Sequence, residues 1–150
     1  MRKVLSLLLL RVSLGGLMLV WGVNKIVNVD HSLAISDNYY AGIMSSEPLL
    51  PLAGAGQMLV GFLIIVGLAT RWVYPLQILM NGVSLLAVSA SVVDPWGWFL
   101  DGTNALFYPS LIIFAGSLVI MAFREEDQFN LDARRKSRPV TWKATHRCRS

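Results

Sequence analysis

Four long apolar stretches dominate the sequence and restrict the folds that the chain can adopt. Each is about 20 residues long, the length that an α-helix needs to cross the hydrocarbon core of a bilayer. We predict spans at Leu5–Val27, Leu49–Ala69, Trp72–Val93 and Ala105–Phe123. With 55% hydrophobic residues, the chain is too apolar for an ordinary soluble domain of this size. The sequence therefore predicts an all-α, integral membrane four-helix bundle.

The predicted spans divide the chain into a transmembrane domain, residues 1–124, and a polar cytoplasmic tail, residues 125–150. The tail begins with the acidic sequence REEDQFNLD, which we expect to extend the fourth helix. The N-terminal sequence MRKVLSLLLL begins like a signal peptide, but Arg11 interrupts its apolar run and no small-x-small cleavage site follows. We therefore expect an uncleaved first helix.

The positions of Lys and Arg predict the orientation of the helices. Basic residues occur before or early in the first span, between the second and third spans, and after the fourth, at Arg2, Lys3, Arg11, Arg71 and from Arg124 onward. The other two connections, residues 28–48 and 94–104, contain Asp and Glu but neither Lys nor Arg. Under the positive-inside rule both termini lie in the cytoplasm. The basic tail then faces the anionic lipids of the inner leaflet. The net charge of +4 is therefore explained by contact with lipid, and no nucleic acid partner is expected.

Small residues mark the faces on which the first two helices are expected to pack. In a membrane, small side chains let helix backbones approach closely. Four glycines recur at helical spacing and are the predicted packing positions: Gly15, Gly22, Gly54 and Gly61. Lys25 lies on the same face of the first helix as Gly15 and Gly22, and it is the single Lys or Arg on the outer side. We predict that it points into the bundle, with Asp94 or Asp101 as charge partner and Gln57 or Asn24 as hydrogen-bond partner.

A ligand pocket in the outer half of the bundle is one hypothesis for these polar residues. Its candidate residues are Trp21, Asn24, Lys25, Gln57, Asn81, Trp96, Trp98 and Tyr108. Asn81 lies near mid-membrane, where it either forms an interhelical hydrogen bond or contacts a ligand. Trp96 and Trp98 form either part of an interfacial aromatic belt or a lid over the pocket. Lys25 or Tyr108 is positioned to donate to a quinone carbonyl.

Redox cofactors and metals have few candidate ligands in this sequence. Cys148 is the single cysteine, so neither a disulfide nor an Fe–S cluster is expected. His31 and His146 both lie outside the predicted spans, so no bis-histidine haem is expected within the bundle. Asp30 and His31 are adjacent, but two residues do not make a metal site. We predict no metal site, no covalently bound cofactor and no catalytic residues.

The motifs of the first two helices resemble those of the DoxX/DoxD-like family of small bacterial and archaeal membrane proteins. The first helix ends in WGVNK, and the second ends in GLATRW. The series Arg11, Gly15, Gly22 and Lys25 is similar to the family's pattern of Arg, Gly, Gly and Lys. The resemblance covers residues 11–124 and implies a four-helix protein of the bacterial inner membrane in a redox setting. Relatives often carry an acidic residue about where this chain has Gln57, and an amide forms only neutral hydrogen bonds there.

Three functional hypotheses follow. The first is an accessory subunit of a larger, redox-linked membrane complex, with other subunits, a second copy of the chain, and membrane lipids as partners. The second is a quinone- or lipid-binding redox subunit that uses the outer pocket. The third is a small transporter, which would require oligomerisation because no inverted repeat is visible.

Overall fold

The computed structural model describes residues 2–39 and 49–136, and all the regular structure in these two ranges is helical. The α-helices are α1 (Arg2–Val27), α2 (Val29–Tyr39), α3 (Leu49–Val66), α4 (Thr70–Ala87), α5 (Ser89–Val93), α6 (Pro109–Ala122) and α7 (Leu131–Lys136). Two 3₁₀ turns flank α6, at Ala105–Phe107 and Arg124–Glu126. The predicted all-α fold is confirmed for this part of the chain.

Within the described residues, three segments are long and apolar enough to cross a membrane: Arg2–Val27, Leu49–Val66 and Ala105–Ala122. They correspond to the first, second and fourth predicted spans. The third predicted span, Trp72–Val93, is divided between α4 and α5 at Val88. Helix α4 is not among these apolar segments, and Arg71, Gln77 and Asn81 lie within it.

Two connections differ from the sequence prediction. The first connection was expected to be a loop with a short surface helix around Asp37–Met44; its described part instead forms helix α2 from Val29 to Tyr39, and residues 40–48 lie outside the described residues. The acidic sequence after the fourth span does not extend the helix: α6 ends at Ala122, and the chain turns through Arg124–Glu126 into α7. The extension was wrong because Asp127 binds a side chain on α1 instead of continuing the helix into solvent. The remainder of the predicted tail, residues 137–150 with His146 and Cys148, also lies outside the described residues.

The four longest helices, α1, α3, α4 and α6, form a ring in which each helix contacts two others. Helix α1 contacts α3 and α6, and α4 contacts the same two helices from the other side. The buried apolar residues between them are Leu14, Met18, Val60, Ile64, Val73, Tyr74 and Ile120. All four helices therefore share one core.

The α1–α3 contact is built on two pairs of facing glycines. A Cβ added to Gly15 would lie 2.8 Å from the carbonyl oxygen of Gly61, and one added to Gly61 would lie 2.8 Å from that of Gly15. Gly22 and Gly54 face each other in the same way, at 2.7 and 2.8 Å. The absence of side chains at these positions lets the two backbones touch, which strengthens dispersion contacts where lipid supplies no hydrophobic driving force.

A tight turn joins α3 to α4. Gly67 adopts φ +70°, and the N–H groups of Gly67 and Leu68 donate to carbonyls in the last turn of α3. This arrangement is a Schellman motif, which favours glycine because other residues are strained at positive φ. The site is also crowded, since a Cβ on Gly67 would lie 2.7 Å from Arg11 Nη1. The turn therefore brings the α3–α4 connection next to α1.

Candidate functional site

The described side chains form two polar clusters, one at each end of the helices. The first lies where the C-terminal residues of α1 meet α3. Lys25 Nζ donates a hydrogen bond of 2.8 Å to Gln57 Oε1, and Gln57 Nε2 is 3.7 Å from Met18 Sδ. The glycine contact positions this pair, because the backbone at Gly54 lies against the Lys25 Cβ.

Lys25 has no carboxylate partner within residues 2–39 and 49–136. Of the two predicted charge partners, Asp94 is occupied by backbone N–H groups, and Asp101 is exposed. Of the two predicted hydrogen-bond partners, Gln57 forms the bond, whereas Asn24 accepts from Asn28. The ammonium group is thus half-buried with one neutral acceptor, so it retains N–H groups for a ligand oxygen.

The carboxylate of Asp94 organises the middle of the Trp loop, residues 94–104. Asp94 accepts hydrogen bonds from the N–H groups of Trp98, Phe99 and Leu100, at 3.0, 2.6 and 2.9 Å. These bonds stabilise the ionised carboxylate and hold the pKa of Asp94 below its usual value. The bond from the Phe99 N–H makes the largest contribution. The same loop stacks the rings of Trp96 and Trp98, whose centroids are 5.4 Å apart, and leaves both exposed. The aromatic surface is therefore preorganised.

Two pairs among the eight residues predicted for the outer pocket are in contact. The structure joins Lys25 to Gln57 and Trp96 to Trp98, while Tyr108 is exposed at the start of α6. Trp21 and Asn24 are partly exposed on α1. A groove of about 430 Å³ does lie near the Trp loop, but it is lined by other residues: Asn38, Ala87, Val88, Ala90, Ser91, Asp101 and Gly102.

The second cluster joins α1 to the C-terminal cap, residues 124–136. Arg11 Nη1 donates to Asp127 Oδ2 at 2.6 Å, and Arg11 Nη2 donates to the Phe129 carbonyl at 3.2 Å. Arg11 is 2% exposed and Asp127 5%. A buried cation that lacks such partners would be costly, so this pair ties the cap firmly to the first helix. Lys3 and Glu126 form a second, exposed ion pair between the same elements.

The cap also completes the start of α4. Asp132 accepts from the N–H groups of Ala69 and Thr70 and from the Thr70 hydroxyl, at 3.1, 2.7 and 2.9 Å. The Asp132 N–H in turn donates to the Gly67 carbonyl at 3.2 Å. The first N–H groups of a helix lack partners within the helix, and this carboxylate satisfies two backbone donors in the turn that begins α4.

Sequence reasoning did not find the cap cluster. Arg11 was assigned to the cytoplasmic end of α1 by its charge, without a partner. The available signal was its position ten residues inside an apolar helix, where an ionisable side chain requires one. Asp127 and Asp132, both in the polar segment after the fourth span, supply the missing carboxylates at the cap end of the protein.

Helix α4 directs its polar side chains inward. Asn81 Nδ2 donates to Ser117 Oγ at 2.8 Å, and the Ser117 hydroxyl donates to the Ile113 carbonyl at 2.8 Å. Asn81 thus forms an interhelical bond with α6, one of the two roles considered for it. Tyr74 and Gln77 lie on the same face, and both are buried. The described residues contain no group of three or more His, Cys, Asp or Glu side chains that would hold a metal ion.

Comparison with known proteins gives one match. A protein-family model described as DoxX matches residues 6–90, which include most of α1, all of α3 and α4, and the Lys25–Gln57 pair. No curated protein and no solved structure matches the chain significantly.

Proposed function

The chain belongs to the DoxX family, and we propose that it is an accessory subunit of a larger, redox-linked complex in the bacterial inner membrane. Membership agrees with the resemblance in the first two helices and with the apolar character of the chain. It identifies a small membrane protein. The role within a complex rests on the features below.

We propose that α4 spans the membrane as the fourth helix of a bundle, although Gln77 and Asn81 lie within it. Beyond Arg71 and Trp72 at its start, its outward side chains include Leu76, Leu79, Val83 and Leu86. Its inward side chains include Gln77 and Asn81. A helix with this distribution suits a lipid environment, since its apolar face meets the hydrocarbon and its polar face is enclosed by protein.

The same bundle supports an orientation with both termini in the cytoplasm. The contact of Arg11 with Asp127, beside Gly67, brings the N-terminal half of α1, the α3–α4 turn and the cap to one end. Arg2, Lys3, Arg71 and Arg124 belong to these three segments. The positive-inside rule assigns that end to the cytoplasm.

The observation that carries the accessory role is the fixed C-terminal cap. A buried ion pair and a helix-capping carboxylate hold it against α1 and α4, so the exposed side chains of Glu125 and Glu126 belong to a defined surface. Helix α6 is open as well, because only 11% of its apolar stretch is buried within the protein. A rigid charged end and an uncovered apolar helix suit a subunit that packs beside others in a membrane.

Purification in mild detergent tests this role. We expect a stoichiometric partner that carries a redox cofactor, seen in the visible spectrum and identified by mass spectrometry. Glu125→Lys changes an exposed charge on the cap and should release the partner, whereas the matched change Asp101→Lys in the Trp loop should retain it. Isolation of the wild-type chain without any stoichiometric partner refutes the accessory role, and a partner without a redox cofactor refutes the redox link.

The Lys25–Gln57 pair favours a second candidate, the binding of a quinone or lipid headgroup. Lys25 is a half-buried cation without a described carboxylate partner, and intramembrane charges commonly mark functional sites. Its free N–H groups suit a quinone carbonyl or a lipid phosphate oxygen. Lys25→Met should remove bound quinone or anionic lipid from the purified protein, with Lys3→Met as the control at the opposite end. Equal ligand content in both variants contradicts this function. The third hypothesis, a small transporter, has no comparable support.

A further inference from the structure

Four buried polar atoms near the cap end have no hydrogen-bond partner among the described residues. They are Arg11 Nε, Tyr74 Oη, and Nε2 and Oε1 of Gln77. Tyr74 is 1% exposed and Gln77 is 0% exposed. An unsatisfied amide or hydroxyl inside a protein is costly, and native structures rarely retain one without a bound molecule to satisfy it.

These atoms belong to one region of the bundle interior. Tyr74 and Gln77 are three residues apart on α4 and therefore lie one turn apart on the same face. The Tyr74 hydroxyl lies beside the Arg11 guanidinium without meeting hydrogen-bond geometry. The donors and acceptors are thus concentrated between the Arg11–Asp127 pair and the Asn81–Ser117 bond.

The types of atom indicate the ligand chemistry. Arg11 Nε and Gln77 Nε2 donate, Gln77 Oε1 accepts, and the Tyr74 hydroxyl does both. Asp127 already balances the charge of Arg11, so an additional ion has no counter-charge here. A neutral molecule that both donates and accepts is required. Water meets this requirement, and its small volume suits a site enclosed by packed helices.

We propose that Tyr74, Gln77 and Arg11 hold internal water in the cap-side half of the bundle. This water extends the polar contacts from the Arg11–Asp127 pair toward the Asn81–Ser117 bond at mid-membrane. The face of α4 that points into the bundle is therefore hydrated over at least one helical turn. The apolar side chains of the core surround this water. This site is separate from the Lys25–Gln57 pair and does not depend on the proposed function.

Radiolytic hydroxyl-radical labelling of the full chain in phospholipid nanodiscs tests the proposal. Brief X-ray exposure generates radicals from bound water, and these modify the nearest side chains, which mass spectrometry then identifies. We expect Tyr74 to be labelled despite its burial, with Tyr108, which is exposed, as the internal reference. In Gln77→Leu the water loses its main partner, so labelling of Tyr74 relative to Tyr108 should fall several-fold. Ser117→Ala removes a buried hydroxyl elsewhere and should leave the Tyr74 ratio unchanged.

The thermal midpoint provides an independent readout and a second variant. If water satisfies the two side chains, Gln77→Leu and Tyr74→Phe should leave the midpoint unchanged or lower it. If the region is dry, both substitutions remove unsatisfied groups and should raise the midpoint. The proposal is overturned by absence of labelling at Tyr74, by equal labelling in Gln77→Leu, or by a raised midpoint in both variants. If Gln77→Leu does not fold, Tyr74→Phe still decides by its midpoint.

Discussion

Replacing Gly15 with alanine should separate α1 from α3, whereas replacing its neighbour Gly16 should not. The Cβ of an alanine at position 15 would lie 2.8 Å from the Gly61 carbonyl oxygen and 2.6 Å from Ile65 Cγ1. At position 16 the Cβ would meet nothing within 4 Å. The two substitutions make the same chemical change in one helix, so their difference isolates helix packing.

The size of the effect follows from two opposing terms. Replacing glycine with alanine inside a helix stabilises the helix by up to about 1 kcal/mol. This gain is the same at positions 15 and 16. Position 15 alone has the steric cost, because the Cβ lies about 0.6 Å inside ordinary contact with a backbone atom that cannot rotate away. Forcing an extra methyl into a packed site costs about 1–3 kcal/mol. We therefore expect Gly15→Ala to be about 2 kcal/mol less stable than Gly16→Ala.

Thermal unfolding of the purified variants in one detergent measures this difference. At about 3 °C per kcal/mol for a chain of this length, the midpoint of Gly15→Ala should lie roughly 6 °C below that of Gly16→Ala. Gly22→Ala, which faces Gly54, should behave like Gly15→Ala, and the open position Gly56 should behave like Gly16. Equal midpoints for Gly15→Ala and Gly16→Ala would show that the close glycine contact does not stabilise the fold.

Three further predictions concern the carboxylates. Asp127→Ala leaves Arg11 buried without its charge partner and should lower the free energy of unfolding by about 3–5 kcal/mol. The double variant with Arg11→Met should recover part of this loss. If the double variant recovers no stability, the two side chains do not interact directly. Asp132→Ala removes the carboxylate at the start of α4 and should cost about 1 kcal/mol by the same thermal assay, so an unchanged midpoint would contradict the capping role. The pKa of Asp94 is lowered in the folded loop, chiefly by the Phe99 N–H, so its stabilising effect is present above the usual carboxyl pKa and is lost as pH falls through the folded value. Tryptophan fluorescence should therefore change on acidification, and Asp94→Asn should remove this dependence; an identical acid transition in both proteins would refute it.

The sequence was informative wherever a physical constraint acts locally. Hydrophobic length identified the apolar helices, and the spacing of Gly15, Gly22, Gly54 and Gly61 indicated faces that in fact oppose one another. Gln57 could be named as a hydrogen-bond partner of Lys25 because both lie on those faces. Helical periodicity is sufficient for such inferences, since each face is fixed by residues three or four apart.

Features that depend on distant parts of the chain could not be predicted in the same way. The partner of Arg11 lies 116 residues away, and nothing local distinguishes Asp127 from other acidic residues after the fourth span. The arrangement of the predicted outer-pocket residues is hard to derive from sequence for a related reason. Common depth in the membrane placed Trp21, Tyr108 and Trp98 near each other in the prediction, but depth does not specify the direction in which each side chain points.

The Arg11–Asp127 pair has a consequence for biosynthesis. Arg11 leaves the ribosome early, and its counter-charge is synthesised 116 residues later, after every long helix has been made. Throughout that interval the nascent first helix carries an unneutralised cation within its apolar sequence, which favours keeping its N-terminal end near the lipid headgroups. Closure of the ion pair is then among the last steps of folding. A chain truncated before residue 127 retains all of its apolar helices but lacks the contact that joins the first of them to the last.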